Sequence, residues 1–86
     1  MPRISAFYGI VIAMYYNDHA PPHFHAIYSG DEAQIAIETL QPIRGSLPTT
    51  ALRLIRDWGE LHRVELEENW IKARDQVPLD TIEPLS

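Results

Sequence analysis

Eighty-six residues are read as one domain, 1–86, with a small core, because a chain of this size buries only about 60–65% of its unfolded surface. The composition, 45% hydrophobic and 22% charged, is that of a globular protein, and a net charge of −5 argues against tight, non-specific binding to a phosphate backbone. With no cysteine in the chain, disulfides and thiolate metal sites are excluded and a cytoplasmic location is expected.

The stretch MPRISAFYGIVIAMYY has neither a charged n-region nor a small-residue cleavage site, so no signal peptide is expected, and its apolar run is too short to cross a bilayer. RISAFY (3–8) and IVIAMYY (10–16) are rich in β-formers and predict two strands turning at Gly9. NDHAPP (17–22) predicts a loop, since proline cannot donate to a ladder. HFHAIYS (23–29) and AQIAIETL (33–40) predict two more strands, with Gly30 and Asp31 at the tip between them, and QPIRGS (41–46) predicts a second loop. From Pro48 to about Gln76 the period changes to three and four, as in Ala51, Ile55, Trp58, Leu66, Trp70 and Ala73, which is helical spacing. Ser46 can cap this segment, Pro48 suits its first turn, Gly59 marks a kink or a break into two helices, and Pro78 ends it. Pairs four apart, Arg63 with Glu67 and Glu68 with Lys72, suit a solvent-facing side. LDTIEPL is expected along the sheet as a short edge strand. The expected fold is a two-layer α+β arrangement. An antiparallel sheet of about four strands is packed on one face by one long or two shorter C-terminal helices.

Side chains alternate along a strand, so His23, His25 and Ile27 share one face, and Phe24, Ala26 and Tyr28 the other. A register with Tyr28 opposite Ala33 pairs Phe24 with Ile37 and Ala26 with Ile35, and segregates apolar from polar residues. It sends Phe24, Ile35 and Ile37 under the helices, and His23, His25, Gln34 and Glu38 to the opposite face, nearer water. His62, Glu65 and Asn69 fall at i, i+3 and i+7 on one helix face, which Trp58 shares.

Three of the four histidines lie between positions 19 and 25, in DHAPPHFH. His-x-His on one strand face is a good bidentate start for a divalent transition metal, and His19 or Asp18 can add a third ligand. The spacing matches no closed zinc signature. A histidine beside a carboxylate can instead move protons near neutral pH, and His19, His23 and His25 with Arg44 or Arg53 would supply the groups of metal-independent ribonuclease chemistry. No serine nucleophile elbow and no glycine-rich phosphate loop is present in the sequence. The structural alternative has His23 and His25 solvated on an open sheet face, His62 bonded to loop backbone, and Trp58 and Trp70 in the core.

DHAPPHFHA followed by GSLPTTALRLIRDWGELHRVELEENW resembles the bacterial family called domain of unknown function 4160. The likeness runs from PRISAFYGI to TIEPL, and its hallmark falls on Asp18, His19, Pro21, Pro22, His23, His25, His62, Glu65, Leu66, Asn69 and Trp70. The resemblance implies a small cytoplasmic bacterial protein that acts with a protein partner. That partner would be the product of a neighbouring gene of the domain of unknown function 2442 type, in a toxin–antitoxin-type two-gene module. A homodimer is compatible with this reading.

The sequence therefore leads to the expectation of one polar site, built from the 18–25 loop and the 62–69 helix face. Asp18 would orient His19, with His62 and Glu65 opposite and Asn69 as a further orienting group. His23 and His25 would be the ligand or proton-transfer pair, and a bound metal would use His23, His25 and His19. The alternatives are a transition-metal-binding module without catalysis and a non-catalytic interaction domain; whether the protein is an enzyme stays open.

Overall fold

In the computed structural model, which describes residues 2–86, the N-terminal half is an antiparallel meander of five strands in the order β1-β2-β3-β4-β5. These are β1 (Arg3–Phe7), β2 (Ile10–Ala13), β3 (His23–Tyr28), β4 (Asp31–Ala36) and β5 (Pro42–Gly45). Two helices follow, α1 (Thr49–Leu61) and α2 (Arg63–Arg74). Among the described residues no helix is long and apolar enough to cross a membrane.

The second hairpin closes more tightly than the spacing alone suggests. Tyr8 and Gly9 both have positive φ, as do Ser29 and Gly30, and each pair forms a two-residue turn. Such turns match the right-handed twist of the flanking strands. The second one brings Tyr28 opposite Asp31, not Ala33, and Phe24 opposite Ile35, not Ile37. The expected register is thus off by two. Because side chains repeat every two residues, the face assignment survives the slip.

Further expectations are corrected. Residues 41–46 are not all loop, since Pro42–Gly45 is the edge strand β5; an edge tolerates a proline, and Pro42 sits where the ladder shifts between Gln34 and Ile35. The helical region does break in two, but at His62 (φ −124°, ψ 25°) and not at Gly59. Gly59 is buried in α1 because a Cβ there would stand 2.6 Å from Leu40 Cδ2, so close packing is the reason for glycine. Ser46 does not cap α1; Pro48 occupies that position, with no side-chain bond. The proposed i,i+4 pairs are also replaced. Arg63 donates to the carbonyls of Ile37 (2.7 Å) and Glu38 (2.5 Å), tying α2 to the end of β4, and Lys72 pairs with Asp80.

The core lies between the sheet and the helices. Trp58 is fully buried, with its ring 5.3 Å from Phe7 and 5.8 Å from Phe24. Ile4, Ile10, Ile12, Phe24, Ile35, Ile55 and Leu66 belong to the same buried cluster, each contributing about 1.5–3 kcal/mol by leaving water. The last residues form no strand, yet they run beside β1: Ile82 donates to the Ile4 carbonyl at 2.7 Å, and Trp58 donates to the Glu83 carbonyl at 2.9 Å. Asn69, buried, clasps the same segment from both sides. Its Nδ2 donates to the Asp80 carbonyl (2.9 Å) and its Oδ1 accepts the Asp80 N–H (3.0 Å).

Candidate metal centre

Alternation along β3 puts His23 and His25 on the face away from Phe24 and Trp58, as the period of two requires. That face is not open. The β2–β3 connection brings Tyr15 and Asp18 over it, while its Pro22 carbonyl extends the β3–β4 ladder by accepting the Ile37 N–H at 3.0 Å. The Tyr15 ring meets the His25 ring at a 4.2 Å centroid separation, and Trp70 of α2 meets His23 at 5.3 Å. His23 is therefore only 3% exposed and His25 5% exposed, which corrects the expectation of water-facing imidazoles.

The same connection delivers Asp18. Its Oδ1 accepts the backbone N–H of His19 at 3.0 Å, which fixes the carboxylate plane. Its Oδ2 faces His23 Nε2 at 3.0 Å and His25 Nε2 at 2.8 Å. The far side of each ring is also committed. His23 Nδ1–H donates to the Pro21 carbonyl at 2.7 Å, and His25 Nδ1 faces Glu32 Oε2 at 2.7 Å. Burial pushes the Asp18 carboxyl up, but hydrogen bonds from His25 and from the His19 backbone, with the charges of His23 and His25, hold it below the usual aspartate range. Burial, then the charges of Glu32 and Asp18, push the Tyr15 hydroxyl above the usual tyrosine range.

Counting protons defines what this cluster can hold. A carbonyl oxygen cannot donate, so the Nδ1 of His23 carries a proton. A neutral His23 would then aim its Nε2 lone pair at an anionic oxygen. His25 stands between two carboxylates and meets the same conflict at one nitrogen. The geometry is satisfied when each Nε2 carries a proton toward Asp18, or when both Nε2 atoms and Asp18 Oδ2 bind one shared cation. With protons, two imidazolium cations balance Asp18 and Glu32. With one divalent cation and two neutral imidazoles, the charge is again balanced. The three ligand atoms lie within 4.8 Å of one another. The 3.0 and 2.8 Å separations match the edge of about 3.0 Å between neighbouring ligands placed about 2.1 Å from an octahedral ion. A metal-binding histidine ordinarily donates its other N–H to a carbonyl or a carboxylate, and both imidazoles here have such an acceptor in place.

The remaining residues of the expected site lie elsewhere. His19 is exposed, and it is its backbone, not its ring, that engages Asp18. His62 pairs with Glu65 at 2.5 Å, and its ring meets that of Trp58 at a tilt, 5.7 Å between centroids. Among the described residues no hydrogen bond, ion pair or ring contact joins His62 or Glu65 to Asp18, His23 or His25. Asn69 is occupied with the C-terminal segment. Sequence reasoning missed Glu32 and Tyr15. The true register signals the first of these: Ile27 lies opposite Glu32, so Glu32 is the diagonal neighbour of His25 on that face.

A cleft of about 480 Å³ opens beside the cluster, lined by Asp18, His19, His23, Gln34, Ile43 and Arg44 among others. The sequence model of the family described as Domain of unknown function (DUF4160) matches residues 9–71, a span that contains the whole cluster and the break between the helices. Comparison with curated proteins and with solved structures finds no match.

Proposed function

This chain belongs to the family described as Domain of unknown function (DUF4160), and we propose that it binds one divalent transition-metal ion through Asp18, His23 and His25. The observation that carries this reading is the division of each imidazole: both Nδ1 atoms are committed to acceptors, while both Nε2 atoms converge on a single carboxylate oxygen. Two histidines and one carboxylate form the ligand set of open, mononuclear transition-metal sites, and imidazole favours Zn, Fe, Ni or Cu over Mg or Ca. Three protein ligands leave coordination positions free, and the cleft bordered by Asp18 and His23 is where they would face.

Such an ion supplies Lewis acidity and a more acidic bound water. The protein's own groups hold it. Asp18 contributes the anionic oxygen, Glu32 and the Pro21 carbonyl fix the ring orientations, and Tyr15 and Trp70 cover the rings.

The test is metal binding by protein carrying no histidine tag, titrated with Zn²⁺ and Co²⁺ against a chromophoric chelator. We expect one ion per chain, and a loss of affinity of about 100-fold or more in His25→Ala, with the fold retained by circular dichroism. Wild-type protein that takes up neither ion at micromolar concentration would remove the proposal.

A further inference from the structure

We propose that the cleft beside this centre is an oxyanion site, in which one oxygen of a carboxylate or phosphoryl ligand takes an open metal position and another is held by the Arg44 guanidinium. The inference rests on the metal reading above and names the ligand class for it. Its observations are separate. His25 pairs with Gln34, and Gln34 pairs with Arg44, so the three share one face of the sheet on successive strands. Strands lie about 4.8 Å apart, so the Arg44 backbone stands about 10 Å across from that of His25. A flexible arginine and a small ligand together span that gap.

Arg44 is exposed and lines the cleft, and among the described residues its side chain has no ion pair and no hydrogen bond. Arg63 holds two carbonyls and Lys72 holds Asp80, whereas Arg3, Arg53, Arg56 and Arg74, like Arg44, make no side-chain bond among the described residues; Arg44 is set apart from these four by lining the cleft that Asp18 and His23 also line. A guanidinium without an ion pair, on the wall of a cleft that Asp18 and His23 also line, is the feature that asks for an anion. Its fork of N–H donors suits carboxylate and phosphoryl oxygens. The half-buried Gln34 amide and the exposed His19 ring add polar groups to the same walls, and Ile43 adds a short apolar one.

The experiment uses Co²⁺-loaded protein and reads its visible spectrum during titration with inorganic phosphate and, separately, acetate. A spectral change that saturates in the millimolar range or below supports the site, and the tighter of the two probes identifies the ligand class. Arg44→Ala should weaken the tighter anion about tenfold or more, and Arg44→Lys should recover only part of the loss, because a point charge cannot reproduce a fork. Chelator competition reads metal affinity independently, and Arg44→Ala should leave it unchanged. Equal anion affinity in wild type and Arg44→Ala, or no spectral response to either anion, overturns this inference while the metal reading stands. Wild-type protein that fails the chelator assay overturns the metal reading itself, and the two failures are therefore told apart.

Discussion

Asp18→Asn preserves the shape of the side chain and removes its charge, which makes it the most direct probe of the cluster. In wild type, Oδ2 faces two ring nitrogens at 3.0 and 2.8 Å. A hydrogen bond to a charged group contributes about 1.5–3 kcal/mol. Because the Asp18 side chain is 22% exposed, solvent screens part of this, and we take a loss of about 2 kcal/mol for the substitution. In a domain of this size each kcal/mol moves Tm by about 4–8 °C, so the metal-free variant should melt about 8–16 °C below wild type. The pH dependence has a definite sign. The folded carboxyl is held below its ordinary value, so its contribution is complete above the usual aspartate range and disappears as pH falls through the folded value. The Tm gap should therefore be full at neutral pH and close on acidification. Metal adds a second readout: an ion at a hundred times its Kd raises wild-type stability by about 2.7 kcal/mol, and the variant should show far less. The assay is a set of circular dichroism melts at several pH values, with and without Zn²⁺. A variant that melts with wild type at pH 7 and gains as much from Zn²⁺ would refute the reasoning.

Other outcomes follow from single positions. Gly45→Ala should cost about 3 kcal/mol in urea unfolding, because φ is +75° there and a Cβ would overlap the Glu32 carbonyl oxygen and crowd Ala33 Cα at 3.2 Å; an unchanged midpoint would show that β5 can move off β4. Asn69→Ala should cost about 2 kcal/mol and raise amide exchange at Asp80 and Ile82, while leaving metal affinity intact; a fall in metal affinity would return Asn69 to the centre. His62→Ala should leave metal affinity unchanged and lower stability by about 1 kcal/mol or less, since Glu65 is half exposed; a tenfold loss of Zn²⁺ affinity would restore the shared centre.

Much of the architecture is legible in the residues. Alternation in HFHAIYS separates Phe24 and Ala26 from His23 and His25, and the change to a period of three and four after Pro48 marks the helices. The misses have physical causes. Pro42 and Gly45 hide an edge strand, because an edge needs only one side of its backbone paired. Gly59 reads as a breaker by propensity but is kept for contact with Leu40, a residue nineteen positions away in the chain. His62 and Glu65 attract attention by their spacing and do meet, but they pair with each other on the helix and not with the loop.

Local periodicity determined which side chains share a face, and HFH by itself puts two imidazoles on the same face of one strand. Whether that face meets water is a different kind of fact. It depends on how the β2–β3 connection brings Tyr15 and Asp18 over the rings and on how α2 brings Trp70 to His23, tertiary contacts that strand periodicity does not encode. Only the tertiary structure, therefore, selected Asp18 over His19 and His62 as the group between the two rings. A partly buried carboxylate must find positive partners, and a buried ring nitrogen must find a donor, an acceptor or a cation, and the fold meets both needs at one point.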